Sequence, residues 1–167
     1  MTRRKNRQAG FTLIELIVTI CIVGILGSIA IKEMRDYTRR AKISEVMLAL
    51  SKCKNIVTEN YLTRDTTPPA GTWGCETTTG LSYYSGPVQT SSDGVVRVAV
   101  TNLDGLVNGH YIHLIPAHAD GNPMVTPADL GTSIGSWTCG SDWQPVRNSL
   151  PVSCRTDTTT FASQDFN

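Results

Sequence analysis

Glu15 is the first residue whose chemistry demands an explanation. It lies in Gly10-Phe11-Thr12-Leu13-Ile14-Glu15-Leu16, and residues 11–31 are otherwise almost all aliphatic, broken only by Thr12, Thr19, Cys21, Ser28 and two glycines. A run of that length suits one membrane crossing. An ionised carboxylate inside a bilayer costs about 3 kcal/mol on the mildest scales, so Glu15 calls for a positive partner. The plainer reading is a tolerated polar residue that snorkels from near the helix end.

Cys53, Cys75, Cys139 and Cys154 form the second set with chemistry to offer. Four thiols admit three pairings, and bridging requires an oxidising compartment. Zinc is the competing use, but the short C-x-x-C spacings of zinc sites are absent. Cys21, inside the apolar run, serves most simply as a small apolar residue.

Other motifs point to catalysis or metal only on their face. Gly131-Thr132-Ser133-Ile134-Gly135 fits the G-x-S-x-G nucleophile elbow, yet that elbow needs a strand before it and a helix after it in a large parallel sheet. Here the flanks are loop-like. His110 and His113 would point to opposite faces of a strand, which leaves them and His118 to surface or packing roles. Asp120-Gly121-Asn122 lacks the further carboxylates of a calcium loop and reads as a turn. With no Walker sequence and no dinucleotide fingerprint, no enzyme activity, cofactor or metal is expected. Trp73, Trp137 and Trp143 are expected to pack a core.

These residues must be positioned by a small number of elements. Past the charged segment 32–42, Ile43, Val46, Met47, Leu50, Cys53, Ile56, Val57 and Tyr61 recur at helical spacing. One continuous helix is therefore expected to about Leu62. At 1.5 Å per residue it would be roughly 75 Å long, more than a bilayer needs, so its second half should lie against the hundred-odd remaining residues. Those are rich in Gly, Ser, Thr and Pro and long enough for one compact head.

Within the head, residues 63–94 read as a long loop punctuated by Pro68-Pro69, Gly71, Gly74, Gly80 and Gly86-Pro87. Alternation over 95–101 and 111–116, around a turn holding Asp104-Gly105 and Asn108-Gly109, predicts an antiparallel hairpin. Residues 124–126 and 136–140 are further short strand candidates, with their order open. The fold class is α+β: a long N-terminal helix on a small antiparallel sheet.

The N-terminal stretch resembles the signature of type IV pilins, in which a peptidase cuts after the glycine and methylates the new phenylalanine terminus. Residues 9–31 match a motif shared by type IV pilins and pseudopilins. Ala41-Lys42-Ile43-Ser44-Glu45-Val46, then Cys53, Trp73-Gly74-Cys75-Glu76 and Trp137-Thr138-Cys139, look like major type IVa pilins. The resemblance implies a cleaved leader over residues 1–10, with Gly10 and Phe11 as the cleavage site and Phe11 as the methylated residue. It implies a membrane and filament-core helix over 11–31, the periplasmic half of that helix over 32–62, and a head over 63–167. Within the head it implies an αβ-loop at 63–94, a sheet at about 95–140 and a disulfide-bounded D-region at 139–154. Together with proximity in sequence, it favours pairing Cys53 with Cys75 and Cys139 with Cys154. One departure is that the family usually has proline where Lys32 stands; Lys32 keeps the helix bonded and can snorkel.

Function follows as expectation. The leader carries Arg3, Arg4, Lys5 and Arg7, as the positive-inside rule asks of a cytoplasmic segment. Its loss leaves eleven Lys and Arg against fourteen Asp and Glu, a net charge of about −3, so no global basic field draws nucleic acid. The amine of a neighbouring copy's Phe11, still cationic after methylation, would offset the cost of Glu15 in a filament core. The expected partners are identical subunits in a helical filament, the inner membrane before assembly, the prepilin peptidase and the pilus assembly machinery. Adhesion to host surfaces and twitching motility are what the resemblance implies, with an extracellular pilus as the final location. Three rival readings stand beside it: a minor pilin or secretion pseudopilin; a soluble secreted binding protein cut near Ser28-Ile29-Ala30; and DNA binding through Arg97, Arg147 and Arg155.

Overall fold

A computed structural model describes residues 10–166; the leader expected over residues 1–10 falls outside the described residues except for Gly10. The chain divides into two units, residues 1–37 and 38–167. Helix α1 (Leu13–Thr63) runs through the boundary, close to the expected end at Leu62.

In the first unit α1 is apolar around its whole circumference. Leu13, Ile14, Leu16, Ile17, Val18, Ile20, Ile22, Val23, Ile25 and Leu26 are all exposed, and none of its most apolar stretch is buried. Lys32 and the residues on either side of it are helical. With its backbone N–H intact, lysine leaves the hydrogen-bond ladder complete where proline would delete a donor.

The second unit builds its core on a stripe. Ile43, Val46, Ala49, Leu50, Cys53, Val57 and Tyr61 are buried, recurring every three or four residues as one helix face must. Met47 and Ile56, expected on that stripe, lie at its margin: Met47 is half-buried and Ile56 exposed. Beyond Thr63 the helix is capped by Arg64 N–H donating to Asn60 O, and Pro68-Pro69 cannot continue it.

Facing the stripe is a five-stranded sheet in chain order: β1 (Ser85–Thr90), β2 (Val96–Val100), β3 (Tyr111–Ala117), β4 (Ser136–Ser141) and β5 (Thr156–Asp157). The first four pair antiparallel, and β5 joins β4 in parallel at Gly140↔Thr156 and Ser141↔Asp157. Val88, Val96, Val98, Val100, Ile112, Leu114 and Cys139 turn towards the helix stripe and form one cluster with it. The alternate residues Val95 and Ile115 turn to the other face, where Phe161 and Phe166 cover them.

Two expectations change. β1 lies inside the stretch expected to be loop, because Gly86-Pro87, read as a breaker, is accommodated where the β1–β2 register shifts between Ser85 and Val88; an irregularity of this kind tolerates a residue without an N–H. Residues 124–126 form no strand, and Pro123 makes only an isolated bridge to Ala117. The Asp104–Asn108 turn closes the β2–β3 hairpin, with Gly109 at φ +81° donating to Val100 O at 2.8 Å.

Gly94 is a glycine the fold requires twice over. Its φ is +71°, and a Cβ there would sit 3.0 Å from Val57 Cγ1 and 3.1 Å from the Trp73 ring. Gly94→Ala should therefore destabilise the head by about 2 kcal/mol, combining left-handed strain with overpacking. A thermal melt read by near-ultraviolet dichroism checks this, and an unchanged midpoint would contradict it.

Candidate functional site

Gly10, Phe11 and Glu15 lie together at the start of α1. Phe11 is 79% exposed. A Cβ on Gly10 would meet nothing within 4 Å, so the fold places no demand for glycine there. Thr12 precedes the helix; its Oγ1 accepts from Glu15 N–H at 3.4 Å, while its hydroxyl lies 3.5 Å from Glu15 Oε2. Thr12-Leu13-Ile14-Glu15 is thus an S/T-x-x-E cap at a helix start, with the carboxylate favourably placed in the first turn. That spacing was present in the sequence and gives Glu15 a local role that sequence reasoning overlooked.

Thr19 and Ser28 donate to the carbonyls of Leu16 and Ile25, each at 2.8 Å. Both hydroxyls are therefore satisfied within the helix, as a segment in hydrocarbon requires. Cys21 is exposed and is the one free cysteine among the described residues.

In the head, Cys53 is joined to Cys75 and Cys139 to Cys154, with Cα separations of 5.1 and 4.4 Å. The first ties the helix stripe to the loop that follows α1. That loop is also organised around Glu76, whose carboxylate accepts from the N–H groups of Trp73 (2.8 Å), Gly74 (2.8 Å) and Cys75 (3.0 Å) and from the Thr90 hydroxyl. Burial pushes the Glu76 carboxyl up, but these donors outweigh it and hold the group below its ordinary range. Trp73 is buried and stacks on Tyr61 with ring centroids 5.3 Å apart. The Tyr61 hydroxyl donates to Asp93 O at 2.7 Å, and burial, with Asp93 and Asp129 nearby, raises its pKa.

The second disulfide brackets α2 (Gln144–Ser149) and a single 3-10 turn at Val152–Cys154. Val146 and Leu150 are buried beneath this segment, while Val152 is 82% exposed. Trp143 stays part exposed, stacked on His110 at 4.4 Å and donating to Leu106 O at 2.8 Å. It packs the rim of the head, whereas Trp73 fills the centre.

The decoy motifs end as structural pieces. Ser133 lies in an exposed non-helical stretch that leads directly into β4, so a strand and not a helix comes next. Asp120 Oδ1 accepts from Asn122 N–H at 3.0 Å in a turn. No group of three metal-ligating side chains occurs among the described residues. Arg97 is held between two rings, Arg147 pairs with Asp157 at 3.1 Å, and Arg155 donates to Leu150 O at 2.9 Å. Each of the three arginines is thus occupied within the head.

A helix long and apolar enough to cross a bilayer is thus joined in one chain to a disulfide-braced α+β head. The chain belongs to the pilin family of bacterial filament proteins, whose profile matches residues 39–155, and the prokaryotic N-terminal methylation motif matches residues 5–31. It is 35% identical to a fimbrial protein of Neisseria meningitidis serogroup A, over 84% of this chain and 75% of that one. A fimbrial protein of N. meningitidis serogroup B is 33% identical, over 93% of this chain and 85% of its own length. The type IV major pilin protein PilE of Neisseria gonorrhoeae is 32% identical, over 89% and 94% respectively. As a pilin with this motif and helix, the chain is a membrane precursor that becomes part of an extracellular pilus.

Proposed function

We propose that this chain is the major structural subunit of a type IV pilus, extracted from the inner membrane into a filament that serves adhesion and twitching motility. The observation carrying this reading is the union, in one chain, of a methylation motif at 5–31 with a pilin head at 39–155. The prepilin peptidase hydrolyses the peptide bond between Gly10 and Phe11, and one methyl is added to the freed Phe11 amine, which keeps its positive charge. The exposed glycine, with no role in the fold, is what a peptidase reading backbone shape would require. The pilus assembly machinery then exchanges lipid for neighbouring helices around the exposed apolar residues of α1.

In that filament Glu15 pairs with the Phe11 amine of another copy, fixing the axial register of each arriving subunit. The loop over 63–94 and the D-region over 139–154 supply contacts and outer surface. A groove in the head is lined by Leu48, Lys52 and Asn55 of α1, by Ala49 from the edge of the buried stripe, and by the loop residues Leu81 and Ser82. A second copy of the chain is its occupant in this reading, since Leu48 is 66% exposed.

Intact-mass and N-terminal analysis of sheared surface fibres tests the proposal. The expected result is a filament made mainly of this polypeptide, beginning at methylated Phe11. A mature terminus near Ile31 would establish the ordinary secreted protein instead, and trace abundance in the fibre would mark a minor subunit.

A further inference from the structure

His113 is buried in the head and belongs to neither the assembly site nor the disulfide framework. It is 0% exposed on β3, on the sheet face turned away from the helix. Nδ1 meets the Thr158 hydroxyl at 2.9 Å. Nε2 has no hydrogen-bond partner among the described residues. Across the ladder His113 stands opposite Arg97 on β2 and Gly140 on β4.

What buries His113 is the end of the chain. Residues 156–166 run over this face: Thr156 pairs with Gly140, Phe166 bridges to Ser91, and Phe161 and Phe166 cover Val95 and Ile115. The contact at Gly140 is close enough that a Cβ there would fall 1.9 Å from Thr156 O. Arg97 clamps the far end, its guanidinium 3.9 Å from the Phe166 ring and 4.3 Å from Tyr111, with Nε donating to Gln89 at 2.9 Å.

We propose that residues 156–166 form a strap that mild acid releases from the sheet, with His113 as the group whose protonation opens it. The neutral ring suits the closed strap, because Nδ1 has a hydroxyl partner and Nε2 needs no proton. A protonated ring would place a second N–H without an acceptor, and a second cation beside Arg97, under an apolar cover. The charged and titratable groups facing it are Arg97 from β2, Tyr111 from its own strand and Asp142 just past β4. Thr158 and Phe166 face it from the strap and carry no charge. Asp157 is engaged by Arg147 and Thr159.

The direction and window follow from proton linkage. Burial first, with Arg97 adding and Asp142 opposing, depresses the closed-state pKa of His113 from 6.5 to about 4. An opened strap returns the ring to water and to its ordinary value, so between those limits the open form binds more protons. The opening constant therefore rises about tenfold per pH unit as pH falls from 6.5, roughly 300-fold in all, and levels off near 4. Asp157 on the strap is held below its ordinary range by Thr159 and Arg147, so its own contribution is lost below that window. Release bares Val95 and Ile115.

Amide hydrogen exchange on the full chain in detergent micelles, corrected for intrinsic rates, tests the latch at pH 7.5, 5.5 and 4.5. Thr158 and Phe161 amides, bonded to Ser141 O and Thr158 O, should lose protection by about tenfold per unit below 6.5 while β2 and β3 keep theirs. In His113→Phe that slope should vanish. A strap equally protected at pH 7.5 and 4.5, or a slope that survives His113→Phe, overturns the proposal. Should that variant fail to fold, ring nuclear magnetic resonance of the unaltered chain decides: titration well below 6.5 supports the latch, and titration near 6.5 under a protected strap refutes it.

Discussion

Glu15→Gln should leave the chain processed and inserted but strongly reduce its assembly into fibres. The substitution separates the two roles open to this carboxylate. As the third helical residue after Thr12, Glu15 contributes to a cap, and glutamine serves that position as well as glutamate does. As the proposed partner of a neighbour's Phe11 amine it contributes charge, which glutamine lacks. Removing one member of an ion pair in an apolar core costs about 3 kcal/mol or more, close to a hundredfold in the equilibrium for adding a subunit. Thr12→Ala provides the converse, costing about 1 kcal/mol of capping while leaving the pair intact. Sheared fibre measured against the membrane pool by quantitative immunoblot distinguishes them. Abundant fibre from Glu15→Gln would rule out the pairing, and loss of fibre from Thr12→Ala alone would return Glu15 to a purely local role.

The ease of reading this chain varied with how local the determining physics is. The stripe from Ile43 to Tyr61 was legible because a helix repeats its own geometry, and β2 because the alternation over 95–101 reports one covered face; the alternation over 111–116 placed β3 but hid that it is buried on both faces. β1 was hidden by Gly86-Pro87, a pair that normally signals a break and is tolerated here only because β2 lies alongside with a shifted register. The strap was illegible for the same reason: Ser- and Thr-rich residues after Cys154 carry no periodicity, and Phe161 and Phe166 acquire a place only from Val95 and Ile115. His113 could be assigned a strand face but not a cover, since that cover arrives from a segment beginning 43 residues later, at Thr156. At the N-terminus the reverse held. Thr12-x-x-Glu15 is an entirely local signal, and the demand made by a carboxylate among aliphatic neighbours drew attention away from it.

Removing the helix-to-loop bridge with Cys53→Ala and Cys75→Ala should lower the melting temperature of the head by roughly 10 °C. The two cysteines are 22 residues apart, and closing such a loop restricts the unfolded chain by about 3 kcal/mol. For a head of this size that corresponds to a shift of several degrees per kcal/mol. Alanine in place of Cys53, which is 1% exposed in the centre of the stripe, adds a small cavity without burying a new polar group. Near-ultraviolet dichroism of Trp73 and Tyr61 on the full chain in detergent reads the transition at the residues the bridge supports. The native arrangement should survive at room temperature, because Trp73 remains stacked on Tyr61 and Glu76 still gathers the amides of residues 73–75. A midpoint within about 2 °C of the unaltered chain would mean that Glu76 and Trp73 hold the loop unaided. Collapse at room temperature would instead make the covalent link a condition of folding. Between those limits the disulfide acts on the unfolded chain and the carboxylate on the folded one, so in a variant that also carries Glu76→Gln the loop should lose both restraints and its protection from hydrogen exchange together.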